Sequence, residues 1–145
     1  MPKVYFASDH AGFSLKNQLI ALVKSLHYPV EDLGPFTFED DDDYPDFVLP
    51  CARSVARDRG SFGVIIGKSG QGEAMAANRV PGARAVVYYG GAIDIPALAR
   101  HHNDANILSL AAGFVSIEGA SQATKSFLET PFSNEERHLR RLAKF

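Results

Sequence analysis

The sequence predicts an α/β fold: a doubly wound, Rossmann-like three-layer αβα sandwich around a five-stranded parallel sheet. Three observations carry this expectation. Strand-like and helix-like patterns alternate from one end of the chain to the other. The run FGVIIG, Phe62–Gly67, is apolar throughout, as a strand buried on both faces requires. The chain has 145 residues, 46% of them hydrophobic, which suits one domain, 1-145, with a real core and leaves little room for two.

The elements follow in order. KVYFAS, Lys3–Ser8, is a short β-rich run. The next stretch places Phe13, Leu15, Leu19, Leu22, Val23 and Leu26 at helical spacing, an apolar stripe that faces a sheet. PVEDLG is the second strand, closed by Gly34, and PFTFEDDDDYPDF is a polar loop with acids from Glu39 to Asp43. Tyr44-Pro45 opens a helix to about Arg57, proline being acceptable in a first turn. FGVIIG leads to a short helix, Glu73–Asn78, and ARAVVYY is the fourth strand. AIDIPALARHHN is a helix with Pro96 near its start. ANILSLAA is the fifth strand, and Ile117–Leu128 is a helix. SNEERHLRRLAKF is a terminal helix, with Ser133 and Glu136 spaced as a capping box.

Right-handed crossovers turn this alternation into a doubly wound sheet, whose ligands sit beyond the carboxyl ends of the strands. That rule reduces the chain to five segments: Ser8-Asp9-His10, Gly34–Tyr44, Gly67–Glu73, Tyr88–Ala92 and Ala111–Gly113.

Bulk properties exclude several functions. A net charge of −2 and a pI near 6.2 argue against general nucleic-acid binding. No apolar run reaches membrane-spanning length, and the start lacks the apolar region of a signal peptide. The one cysteine, Cys51, excludes an internal disulfide and a cysteine metal cluster. The expectation is a cytoplasmic protein with no nucleic-acid partner and no membrane.

The glycine loop carries the chemistry. GKS at Gly67–Ser69 invites a P-loop reading, but that spacing needs a glycine where Phe62 stands. Gly70 and Gly72 begin a dinucleotide fingerprint whose third glycine is replaced by Met75. Neither nucleotide reading survives. Gly67, Gly70 and Gly72 instead let backbone amides approach a ligand closely. Glu73 then lies in the first turn of a helix, where an acid is favourable without any function. The functional alternative is a general base beside a ring of amide donors, as proton abstraction next to a carbonyl requires.

Other candidates have bland readings too. Asp9-His10 stands at the ligand edge, where a charged pair is not core. His101-His102-Asn103-Asp104 ends a helix, and capping explains it unless one histidine transfers protons. Arg137 and Arg141 share a helix face, with His138 and Arg140 beside them. That face is either simply solvated or a phosphate clamp. Glu39–Asp43 reads as a solvated acidic loop without metal-ligand spacing, and Cys51 as an inert helix residue.

Taken together, SDHAGFSLK, DLG…DYPD, GKSGQGEAMAANR, RHHNDANIL and ERHLRRL, in this order, resemble the ribose-5-phosphate isomerase B family, which includes galactose-6-phosphate isomerase subunits. The resemblance spans essentially the whole chain. It implies interconversion of phosphorylated aldoses and ketoses without metal or organic cofactor. It implies homodimers, or tetramers built from them, whose active sites draw on both subunits, with the C-terminal helix packing on the partner. Some members use a cysteine base where this chain has Gly67; others use a glutamate where it has Glu73, and this chain resembles the second kind. Glu73 would carry the proton between C2 and C1. Ser69 would stand at the reacting oxygens, and the amides around Gly67, Gly70 and Gly72 would hold the enediolate. Asp9 and His102 would open the ring, and Asn103 would reach the substrate from the partner. His10, Arg137 and Arg141 would bind phosphate with His138 nearby, and Tyr44 would line the sugar pocket.

The resemblance has one gap. The family's arginine after the fifth strand aligns with Gly113, and Lys68 stands where glycine is usual. Three expectations follow: Lys68 or Arg140 replaces the cation, the substrate is a phosphohexose such as allose or galactose 6-phosphate, or the chain is a weakened sugar-phosphate-binding relative.

Overall fold

In the computed structural model, which describes residues 1–145, five strands form one sheet in the order β2-β1-β3-β5-β4. They are β1 (Val4–Ser8), β2 (Val30–Asp32), β3 (Phe62–Gly67), β4 (Ala85–Tyr88) and β5 (Ile107–Ala111). The helices are α1 (Phe13–Ser25), α2 (Pro45–Arg57), α3 (Gln71–Ala77), α4 (Ile95–Asn103), α5 (Ile117–Glu129) and α6 (Glu136–Leu142). A 3-10 turn, His10–Gly12, joins β1 to α1. Every pairing is parallel. The winding reverses between β1 and β3, where sheets of this kind bind ligands.

Alternation along β3 divides its side chains between two cores. Val64 and Ile66 pack with Leu15 and Leu19 of α1, Ala99 of α4 and Phe127 of α5. Ile65 packs with Val48, Cys51 and Val55 of α2 and Ala77 of α3. Each such fully buried aliphatic side chain contributes roughly 1.5–3 kcal/mol. Cys51 is wholly buried, and burial pushes its thiol up to about 12. It is therefore inert at neutral pH.

Two local features depart from the sequence expectation. Lys16 lies within the apolar stripe of α1 and is wholly buried. Its Nζ donates to Asp32 Oδ1 at 2.6 Å and Oδ2 at 2.8 Å, and to the Pro35 carbonyl at 2.8 Å. This ties the start of the acidic loop to α1. Removing one partner of such a buried pair typically costs about 3–5 kcal/mol.

The second departure is at α6, where the capping box does not form. The Ser133 amide donates to the His101 carbonyl, and Asn134 takes a left-handed φ of 56°. The helix therefore starts only at Glu136, with Glu135 as N-cap and no side-chain capping bond. The tertiary bond to α4 overrides the local signal.

Candidate active site

The carboxyl edge of the sheet gathers most of the expected residues. Asp9 follows β1, is buried and caps the 3-10 turn: its Oδ1 accepts from the Gly12 amide at 3.2 Å. β3 runs into Gly67-Lys68-Ser69-Gly70. Gly70 has φ +74°, a left-handed value that glycine adopts without penalty. Ser109 Oγ donates to the Gly70 carbonyl at 2.7 Å and pins this turn to β5. Ser69 is half-buried, and its Oγ accepts from the Gln71 amide at 3.3 Å.

The turn sends α3 back over the end of β3, so Glu73 lies directly against Gly67. A Cβ at position 67 would collide with the Glu73 carboxylate. Glu73 is 4% exposed. Burial pushes its carboxyl above the ordinary glutamate value; its own backbone amide opposes the shift, and the charge of Asp9 adds to it. Tyr44 crosses the same loop: a Cβ on Gly72 would lie 2.5 Å from its hydroxyl. Asp9, Ser69, Glu73, Tyr44 and the loop glycines are thus brought together.

His10 belongs to this edge, and it has a partner that the sequence did not single out. Asp42 Oδ1 lies 2.7 Å from His10 Nδ1 and accepts from the His10 amide at 3.0 Å. The acidic run is therefore not uniformly a solvated loop: the Asp42 side chain is only 9% exposed. Asp9, His10 and Asp42 cluster closely enough to suit a metal ion geometrically. However, His10 Nδ1 and Asp9 Oδ1 already engage protein groups.

The remaining candidates lie at the opposite edge. α4 runs back against the strands, and Asn106, just beyond its end, donates to the Arg84 carbonyl at the start of β4. His102 and Asn103 are therefore at the amino edge. Five residues of β5 span about 16 Å, so a single copy holds His102 well away from Glu73. The His102 ring stacks on that of His138, centroids 4.5 Å apart and planes at 19°. His138 is buried. Burial holds its pKa below the ordinary histidine value, with His102, Arg137 and Arg141 adding to the effect and Glu135 opposing it. Arg137 and Arg141 are exposed on α6; Arg137 Nε lies 3.3 Å from Glu135.

Asp104 beside them has a structural role. It takes a left-handed φ of 46° and pairs with Arg84 at 3.2 Å and Arg100 at 2.9 Å. A cavity of about 900 Å³ is also at this edge, bounded by Val80–Val86 and by Leu139, Leu142 and Phe145.

Gly113 follows β5, and its amide donates to the Lys68 carbonyl at 2.9 Å. A Cβ there would meet Lys68 Cγ at 3.0 Å, so the Lys68 stem covers the glycine. Lys68 is exposed and makes no ion pair, whereas Arg140 is engaged by Glu136 at 3.0 Å. No helix is long and apolar enough to cross a membrane.

Comparison with known proteins bears on this geometry. The family described as Ribose/Galactose Isomerase matches residues 4–145. Ribose-5-phosphate isomerase B of Mycolicibacterium paratuberculosis is 41% identical over 97% of this chain and 87% of its own. The structure of ribose-5-phosphate isomerase B from Mycoplasma genitalium with bound ribulose-5-phosphate superposes with a TM-score of 0.93 at 36% identity, covering 98% of this chain and 92% of that one. The type B ribose 5-phosphate isomerase of Trypanosoma cruzi superposes with a TM-score of 0.92 at 40% identity, covering 99% and 94%.

Proposed function

The chain belongs to the ribose/galactose isomerase family, and on that premise we propose that it interconverts ribose 5-phosphate and ribulose 5-phosphate with Glu73 as the base. The reaction class, aldose–ketose isomerisation of a sugar phosphate, is that of its named relatives. One observation carries the assignment of the base: a buried carboxylate seated against Gly67 at the end of β3, with its pKa raised.

The chemistry follows from the neighbours. Asp9 and, from a second copy, His102 move the hydroxyl protons that open the furanose. Glu73 takes the C2 proton of the open aldose. The C–H electron pair becomes the C1–C2 double bond, and the C1 oxygen takes up negative charge. Ser69 Oγ and the amides of the Gly70–Gly72 turn donate to that oxygen. Glu73 then returns the proton to C1, and the O2 proton passes to O1, which leaves the ketone at C2. Burial serves this step, because a base with a raised pKa takes the carbon-bound proton more readily.

A second copy of the chain is part of the reading. His102, Asn103, Arg137 and Arg141 lie at the amino edge and act on the substrate held by Glu73 of the partner in a homodimer. The phosphate is then bound by His10 from one copy and the two arginines from the other, with His138 stacked behind. Lys68 rather than Arg140 supplies the further cation, since it is unpaired and lies over Gly113.

Glu73→Gln tests the assignment. Turnover of ribose 5-phosphate should fall by about 10²–10⁴, while inorganic phosphate still competes for the site. Near-normal turnover would exclude Glu73 as base. Allose and galactose 6-phosphate, assayed beside ribose 5-phosphate, decide between pentose and hexose.

A further inference from the structure

Within Glu39–Asp43, Asp42 does not behave as a surface acid. Its side chain is 9% exposed, and its Oδ1 receives both the His10 amide and the His10 ring contact. Its Oδ2 is buried without a hydrogen-bond partner in the chain. An ionised carboxylate can only accept, so the 2.7 Å ring contact places a proton on Nδ1. Nε2 is then the nitrogen left for a ligand, on a side chain 34% exposed at the carboxyl edge. Phe38 meets the ring edge-on at 6.3 Å and packs on Phe13 at 6.2 Å, which restricts its rotation.

We propose that Asp42 is the positioning residue for His10: it fixes the proton on Nδ1 and keeps negative charge beside the ring, so that Nε2–H of the imidazolium donates to the substrate's phosphate. This rests on the phosphate-binding role given to His10 above. With Nδ1 protonated, a neutral His10 offers only a lone pair at Nε2 and repels a phosphate oxygen. The imidazolium offers a donor and a charge. The charged groups facing the ring are Asp42 and Asp40 from the loop and Asp9, just after β1. The hydrogen bond to Asp42 is the largest influence raising the His10 pKa, burial opposes it, and the three carboxylate charges add. The binding form therefore persists to higher pH than an unassisted histidine would allow.

Asp42→Asn tests this, because the amide oxygen can still accept from Nδ1 while the charge is gone. Three readouts are compared with wild type: the His10 titration midpoint by NMR in the free protein, the affinity for inorganic phosphate across pH, and KM and kcat for ribose 5-phosphate. The midpoint should fall. Phosphate affinity should drop, and KM rise, roughly tenfold on the alkaline side of the midpoint, converging with wild type on the acid side, with kcat nearly unchanged. In a His10→Asn background the substitution should add no further loss, and Asp40→Asn should move the midpoint less. An unchanged midpoint, or an equal loss of phosphate affinity at every pH, overturns the proposal. If wild type isomerises no sugar phosphate, the functional reading fails, and the titration and phosphate arms still judge Asp42.

Discussion

A glutamate that must be ionised to accept a proton is unfavourable to bury, and Glu73 is buried beside a second carboxylate. Its folded pKa lies above its unfolded one, so the stability it contributes is complete below the unfolded value and is lost as pH rises through the folded value. Above the unfolded value the glutamate therefore costs the fold stability that a neutral side chain would keep. Glu73→Gln should therefore melt at a higher temperature than wild type at neutral pH. The difference should vanish in melts run below about pH 4.5, the ordinary glutamate value. A neutral-pH Tm lower than wild type would show that Glu73 has a stabilising partner instead. Asp9 was legible in the sequence because it follows a recognisable apolar strand directly, and Glu73 because it follows the glycine turn into which such a strand leads. Asp42 was not: five adjacent acids look alike until the loop folds and turns one of them onto His10. Lys16 left a fainter signal, as a cation inside the α1 stripe between Leu15 and Leu19.

At the level of elements, the β3 loop and the end of β5 work as one unit, joined by the Gly113 amide on the Lys68 carbonyl and by Ser109 on Gly70. A side chain at 113 would press on the Lys68 stem, at 3.0 Å, and on the Lys68 carbonyl oxygen, at 3.1 Å. If Lys68 is the phosphate cation, Lys68→Ala should raise KM for ribose 5-phosphate about tenfold with little change in kcat. Gly113→Arg alone should not help, since the lysine obstructs it. Lys68→Gly with Gly113→Arg should regain affinity by moving the charge across the same gap. An unchanged KM for Lys68→Ala would leave the site without this cation. The elements themselves were largely legible: Phe62–Gly67 and the proline-led start of α2 stand where the pattern put them. The start of α6 was misread because a hydrogen bond from Ser133 to α4 holds the chain out of the helix. The placement of β5 between β3 and β4 was not legible either, since strand pairing across such distances leaves no local mark.

For the whole molecule, the decisive fact is the separation of two groups of the expected site residues. Glu73, Asp9 and Ser69 lie at one edge of the sheet, and His102, Arg137 and Arg141 at the other, about one strand length away. A twofold pairing that set the amino edge of one copy against the carboxyl edge of the other would do so twice, because such an interface is self-complementary. The apolar cavity beside Asn103, with Leu139 47% and Phe145 86% exposed next to it, provides surface for that contact. This arrangement makes a prediction that a self-contained site does not. Glu73→Gln and His102→Gln should each be inactive alone. Mixed, and allowed to exchange subunits, they form hybrids in which one site carries both substitutions and the other carries neither. Random exchange makes half the dimers hybrid, each with one intact site of two, so activity should return to about a quarter of wild type. Mass spectrometry of the mixture would verify that hybrids form. Hybrids without recovered activity would mean that each copy completes its own site, and that His102 acts nowhere near Glu73.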